Sequence, residues 1–151
     1  MLVCFAGVLL VGAPYLPTLS PQVSAALTLA DLQPGQTLLE LGCGDGKVVL
    51  AAAKAGYTVI GYELNPLMAA VAWLRTRRYG KQVQIRCANF WQPNWPPADA
   101  IFVFLLPKYM TKLDNKVMQQ YPKGVKVISF AFRIPNREPK NTLNGVFLYK
   151  Y

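Results

Sequence analysis

Apolar residues along the chain fall into short blocks punctuated by proline, glycine and polar clusters, and the blocks alternate between strand-like runs and helix-like spacing. The first block, MLVCFAGVLLVGA, is 13 apolar residues without a charge, closed by Pro14 and Pro17. That is shorter than the roughly 20 residues a helix needs to cross a bilayer, and it lacks the basic start of a signal peptide. That leaves a clipped or partial membrane anchor or a helix packed on the domain; residues 1–13 are read as the anchor remnant and residues 14–151 as one domain.

LSPQVSAALTLADLQPG then reads as a helix with Ser20 as N-cap, Pro21 at its first position, an apolar stripe of Val23, Leu27 and Ala30, and Pro34-Gly35 as its stop. TLLELG is a buried strand, KVVLAAAKAG a helix stopped by Gly56, and YTVIGYE a second strand. Asn65-Pro66 caps a helix through LMAAVAWLRTRRYG. QVQIRCA and DAIFVFLL are further strands, and Pro107 opens a helix with Met110, Leu113 and Val117 on one face. GVKVISFAF and GVFLYKY close the chain as strands, separated by a polar, proline-containing stretch. This order implies an α/β domain, Rossmann-like, with a mostly parallel sheet of about six strands and helices on both faces. The insert NFWQPNWPPAD, between the third and fourth strands, reads as a rigid packed loop.

Composition adds a sign to this picture. The 151 residues carry 16 Lys+Arg against 7 Asp+Glu, a net charge of +9 that serves either general solubility or anionic partners such as lipid headgroups or nucleic acid. Arg75, Arg77, Arg78 and Lys81 form one basic cluster. There is no histidine, and Cys4, Cys43 and Cys87 have no CxxC spacing, so a zinc site or a Cys-His nucleophile lacks its usual parts. The three cysteines are read as reduced, buried thiols, and no metal is expected.

The chemistry concentrates in LLELGCGDG, where Gly42-Cys43-Gly44-Asp45-Gly46 follows the first strand. In an open parallel sheet, ligands bind beyond the carboxyl ends of the strands, and glycines there admit close approach and free amides. Glu63 ends the second strand about 20 residues on, where an acid accepts hydrogen bonds from both ribose hydroxyls of an adenosine. The dinucleotide spacing GxGxxG is absent, because Lys47 stands at its third glycine, while Glu40 precedes the turn. An acid is unhelpful to a pyrophosphate and suits a cationic sulfonium with an α-amino group. That disfavours NAD and favours S-adenosyl-L-methionine.

LLELGCGDG and GYELNP resemble motifs I and II of the class I S-adenosylmethionine-dependent methyltransferases, from about Ser20 onward. The resemblance implies a cofactor site of Glu40, Gly42, Cys43, Gly44, Asp45, Glu63, Leu64, Asn89 and Phe90, with Asn89-Phe90 at the adenine. GAPYLPT, DGKVVLAAAKAGYTVIGYELNP, NFW and FLLPKYM together resemble the membrane-associated protein-lysine methyltransferases that, in mitochondria, modify the ATP synthase c-subunit and the adenine nucleotide translocase. That implies a protein substrate with a target lysine and a membrane-associated enzyme at a cytoplasmic face, or otherwise a cytoplasmic one. The chain departs from class I enzymes in lacking a helix and one strand after the fifth strand, and in carrying Asn89 where many have Asp.

Methyl transfer from an activated sulfonium needs alignment and water exclusion more than a catalytic nucleophile. Tyr15, Pro17, Thr18, Leu106, Pro107, Tyr109 and Met110 are the candidate substrate mouth, with ordinary helix packing as the competing role for Tyr109 and Met110. Asp99 reads as a strand-start residue. Two rivals stand beside lysine methylation: a nucleic-acid or small-molecule methyltransferase, and a non-catalytic adenosine-binding module. The first lacks the Asp/Asn-Pro-Pro-aromatic motif common in base amino-methyltransferases, since FLLPKYM occupies that place.

Overall fold

A computed structural model describes residues 18–151 of the chain. The expected anchor at 1–13, and Tyr15 and Pro17, lie outside the described residues. Among those described, no helix is long and apolar enough to cross a membrane.

The first helix, α1 (Ser20–Ala30), starts one residue earlier than the capping pattern suggests, with extended Leu19 as N-cap and its carbonyl accepting from Gln22 and Val23. It ends well before Pro34, because Asp31 turns left-handed at φ +44° and returns its N–H to Leu27 O. Lys126 Nζ then donates to the Ala30 carbonyl at 2.8 Å, satisfying a group the helix end would otherwise orphan. The buried face is Val23, Ala25, Ala26, Leu29 and Ala30, with Leu27 only partly covered.

The remaining elements are β1 (Thr37–Leu41), α2 (Lys47–Lys54), β2 (Thr58–Glu63), α3 (Pro66–Thr76), β3 (Val83–Cys87), β4 (Ala100–Val103), α4 (Met110–Gln120), β5 (Lys126–Phe130), β6 (Asn141–Leu143) and β7 (Val146–Lys150). Asn65 Oδ1 caps α3 by accepting from the Leu67 and Met68 amides. A broken 3-10 turn at Arg77–Gln82, with Gly80 at φ +54°, replaces the continuous helix expected to Gly80.

The sheet order is β3-β2-β1-β4-β5-β7-β6, parallel through β5 and antiparallel at β7 and β6. It therefore has seven strands and not about six. The extra strand is β6, three exposed residues paired to β7 through Asn144-Gly145, both at positive φ. Asn-Gly between two pairing runs is a strong hairpin signal, hidden here because β6 has no buried face to give it a pattern.

Two apolar layers cover the sheet. One face packs α1, α2 and α3, through residues such as Val49, Ala52 and Ala72; the other packs α4, through Met110, Leu113 and Val117. On that second face the NFWQPNWPPAD insert fills the place of a crossover helix. Trp95 is buried and donates Nε1–H to Phe90 O at 2.7 Å. Lys116 Nζ donates to the Trp91 and Pro93 carbonyls, each at 3.0 Å, and Tyr121 donates its hydroxyl to Pro96 O at 2.6 Å. The insert is the rigid packed loop its composition suggests, and burial pushes the Tyr121 phenol up to about 12. Asp99 brackets the starts of β1 and β4, accepting from Thr37 N at 2.8 Å and donating its own N–H to Thr37 O at 2.9 Å.

Candidate functional site

The strand order reverses direction between β1 and β4, which places a crevice beyond their carboxyl ends. The candidate cofactor residues converge there. Glu40 and the Gly42–Gly46 turn follow β1, Glu63 and Leu64 end β2, and Asn89-Phe90 follow β3, whose Cys87 is level with Glu63 in the register.

Glu63 is the most constrained of them. Its Oε2 accepts from Gly44 N and its Oε1 from Asn65 N, both at 2.8 Å. Each oxygen keeps a further lone pair, so the carboxylate is aimed by the backbone while retaining capacity for two hydroxyls. The Gly42 and Cys43 amides are not free for a ligand, since both donate to Tyr62 O, at 2.9 and 2.8 Å. At Gly42 the turn thus offers close approach and not a donated amide: Gly42 is exposed at φ +85°, and a Cβ on it would lie 4.0 Å from the Phe90 ring. Phe90 is buried and packs on Trp91 with centroids 4.8 Å apart. Asn89 Oδ1 accepts from Trp91 N at 3.0 Å, which fixes the side-chain amide in place.

Glu40 is 4% exposed, and its Oε2 has no hydrogen-bond partner. Burial first, then the charges of Glu63 and Asp45, push its carboxyl well above the usual range, opposed by a backbone hydrogen bond from Val49 in the first turn of α2. Three of the chain's seven acids therefore face one crevice in a protein of net charge +9. An orphaned buried carboxylate oxygen beside two further acids fits a cationic group such as an α-ammonium or sulfonium. Asp45 is partly neutralised by Arg75 at 2.9 Å and accepts from Lys47 N at 3.3 Å, tying the turn to α3 and α2.

Cys43 sends its side chain inward, and its thiol is pushed up by burial and then by Glu40 and Glu63. The residue that makes room for it is Gly61 on β2, where a Cβ would lie 2.9 Å from Cys43 Sγ and 3.3 Å from Val49 Cγ2. Nothing in the spacing of the motif points to Gly61. Cys87 is exposed, contrary to its reading as a buried thiol, because it ends edge strand β3; both described cysteines are free. Gly46 N-caps α2 at φ +81°, and a Cβ there would meet Ala72 Cα and Cβ at 2.9 Å. Gly46→Ala is expected to cost about 2–5 kcal/mol of stability, summing left-handed strain and overpacking, as measured by urea denaturation.

The candidate mouth divides. Thr18 is half-buried just ahead of α1. Pro107 and half-buried Tyr109 form a 3-10 turn after β4, with Tyr109 6.2 Å from Trp91 centroid to centroid and Leu106 half-buried beside them. Met110 is fully buried and belongs to the core, so the packing role holds for it. Three half-buried phenylalanines absent from the expected mouth, Phe104, Phe130 and Phe132, gather at the same edge.

Topology and crevice define a domain of the Rossmann-like methyltransferase class. A solved RNA methyltransferase from Salinibacter ruber, in complex with S-adenosyl-L-homocysteine, superposes with a TM-score of 0.80 at 28% identity, covering 90% of this chain and 92% of that one. Within that class, the chain belongs to the family described as the ANTKMT methyltransferase domain, whose model matches residues 40–141. It is similar to the rat lysine N-methyltransferase of the ATP synthase c-subunit, 30% identical over 131 residues, covering 85% of this chain and 60% of the relative. It is also similar to the mouse adenine nucleotide translocase lysine N-methyltransferase, 33% identical over 129 residues, covering 83% and 56%. The chain thus spans a little over half the length of these curated relatives.

Proposed function

We propose that this domain is an S-adenosylmethionine-dependent protein-lysine N-methyltransferase acting on a membrane or membrane-proximal protein. Glu40 carries the cofactor assignment: its buried, unpartnered oxygen beside the backbone-anchored Glu63 suits a ligand that is cationic at one end and a ribose at the other. Glu63 would hold the ribose, Glu40 the methionine end, and Asn89 with Phe90 the adenine, while Gly42 admits close approach. Leu64, Cys43, Gly44 and Asp45 complete the cradle. The bound cofactor supplies an activated methyl group; the chain's part is orientation and exclusion of water.

The lysine acceptor rests on the two curated relatives, whose names specify lysine methylation of the ATP synthase c-subunit and of the adenine nucleotide translocase. A lysine amine titrates near about 10.4 in water and must shed its proton to act as nucleophile; apolar surroundings ease that loss. A second reading, methylation of nucleic acid, is favoured by the +9 charge and by the likeness to the Salinibacter RNA methyltransferase. Labelled S-adenosylmethionine, incubated with the protein and its native membranes, should label a band removed by protease and resistant to nuclease. Label found only in RNA would overturn the lysine reading.

The outer face of α3 supports membrane contact. Leu67, Trp73 and Leu74 are 71%, 54% and 54% exposed, beside Arg77 and Arg78, a combination suited to an anionic bilayer surface. Replacing both Trp73 and Leu74 with serine is expected to weaken binding to phosphatidylglycerol vesicles by about tenfold or more, given about 1.5–3 kcal/mol per buried large side chain. Unchanged sedimentation with the vesicles would remove that face as the contact.

A further inference from the structure

Phe104, Phe130 and Phe132 come from two strand ends, and their meeting depends on a strained backbone. Val103, at the end of β4, is level with Leu41 of β1 and Ser129 of β5. Phe104, Gly42 and Phe130 are the next residues along the three chains at the carboxyl edge, where neighbouring strands are roughly 5 Å apart. Phe102, two residues before Phe104, is the register partner of Glu40. The Phe104 ring lies 4.6 Å from Phe130 and 6.2 Å, stacked, from Phe132. All three residues are half-buried.

Between the last two, Ala131 sits at φ +69°, and Phe132 N donates to Phe130 O at 2.9 Å. That is a γ-turn of the positive-φ kind, rare and strained for a residue bearing a Cβ. Its surroundings hold it in place: the Ser129 hydroxyl donates to Phe132 O at 2.6 Å and Ala131 N donates to Gly145 O at 2.9 Å. Strain maintained in this way marks an arrangement that relaxed backbone would not give. What it achieves is to turn Phe132 back over Phe104, beside the acidic crevice.

We propose that Phe104, Phe130 and Phe132 form the wall that receives the acceptor lysine and holds its methylated ammonium product. The inference rests on the lysine-methyltransferase reading above. The apolar rings cover the lysine stem and disfavour the protonated amine, whose proton leaves to solvent. The neutral nitrogen lone pair then bonds to the methyl carbon as the carbon–sulfur bond breaks, its electron pair staying on sulfur. An uncharged thioether remains, and the positive charge now sits on the methylated nitrogen. A ring face attracts that bulky, weakly hydrated cation.

The test uses the full chain saturated with S-adenosylhomocysteine and, as probe, N-acetyl-trimethyllysine methylamide. Phe104→Leu and Phe132→Leu keep apolar volume while removing the ring face, so each should weaken the probe about tenfold by calorimetry, with S-adenosylhomocysteine affinity held within about twofold. The same variants should raise the acceptor KM more than they lower kcat. A wild-type chain that does not bind the probe, or variants that bind it equally well, overturns the wall. So does a parallel fall in S-adenosylhomocysteine affinity, which would make the rings cofactor contacts. Whether the wild-type chain forms methyl-lysine at all is read separately from hydrolysed product, so failure of the lysine reading is distinguished from failure of the wall.

Discussion

Glu63→Ala is expected to weaken S-adenosylhomocysteine binding by about 10²–10⁴-fold, from two lost charge-assisted hydrogen bonds at about 1.5–3 kcal/mol each. The loss is large because the carboxylate works in two directions. Toward the ligand, in the proposed role, its two oxygens would each accept from one ribose hydroxyl. Toward the protein it accepts from Gly44 N and Asn65 N at 2.8 Å each, which joins the glycine turn to the start of α3. Alanine leaves both amides without this partner and lets the turn relax. Glu63→Gln is expected to fare little better, since its amide nitrogen would face one of those N–H donors. Calorimetry gives the affinity and circular dichroism confirms that the variants stay folded; an affinity unchanged in Glu63→Ala would remove the ribose role.

Glu40→Gln is expected to separate stability from binding. Burial raises the Glu40 carboxyl in the folded chain above its unfolded value, so the folded state holds the proton more tightly. The stability this confers is fully present below the unfolded value of about 4.3 and is lost as pH rises through the folded one. In the ligand-free domain an ionised Glu40 is therefore a burden at the upper end of that window. Glutamine does not titrate, and it should raise ligand-free stability near neutral pH by about 1–3 kcal/mol, the scale of an unpaired buried polar group. The same change should lower affinity for S-adenosylmethionine by about 10–100-fold, through loss of a charge-assisted contact. It should also flatten the rise of affinity with pH that ionisation of Glu40 gives the wild type. Urea denaturation and calorimetry between acid and neutral pH measure both effects; a variant that is less stable and binds as well as the wild type would contradict the assignment.

Local signals carried most of the sheet and the position of the crevice. The strand runs, the glycine turn and the acid at the end of β2 lie within one strand-helix-strand unit, so their spacing reads directly onto the fold. What escaped depends on partners distant in sequence. Gly61 matters only because the Cys43 side chain turns inward beneath it. The turn amides looked available, yet Tyr62 O and Glu63 take those of Gly42, Cys43 and Gly44, a competition settled by how β1 and β2 end side by side. Met110 reads equally as mouth or core, and packing under β4 and β5 decides for the core. Phe104, Phe130 and Phe132 sit in runs that read as strands, which hides their meeting, because a single left-handed residue, Ala131, ends the regular strand and brings the last of them round.

Acid hydrolysis of the membrane proteins labelled by this chain, followed by amino-acid analysis, tests the proposed chemistry most directly. The label should return as Nε-methylated lysine and be absent from hydrolysates made with the Glu63→Ala variant. Recovery of the label in nucleotides alone, or in amino acids other than lysine, would contradict lysine methylation by this domain.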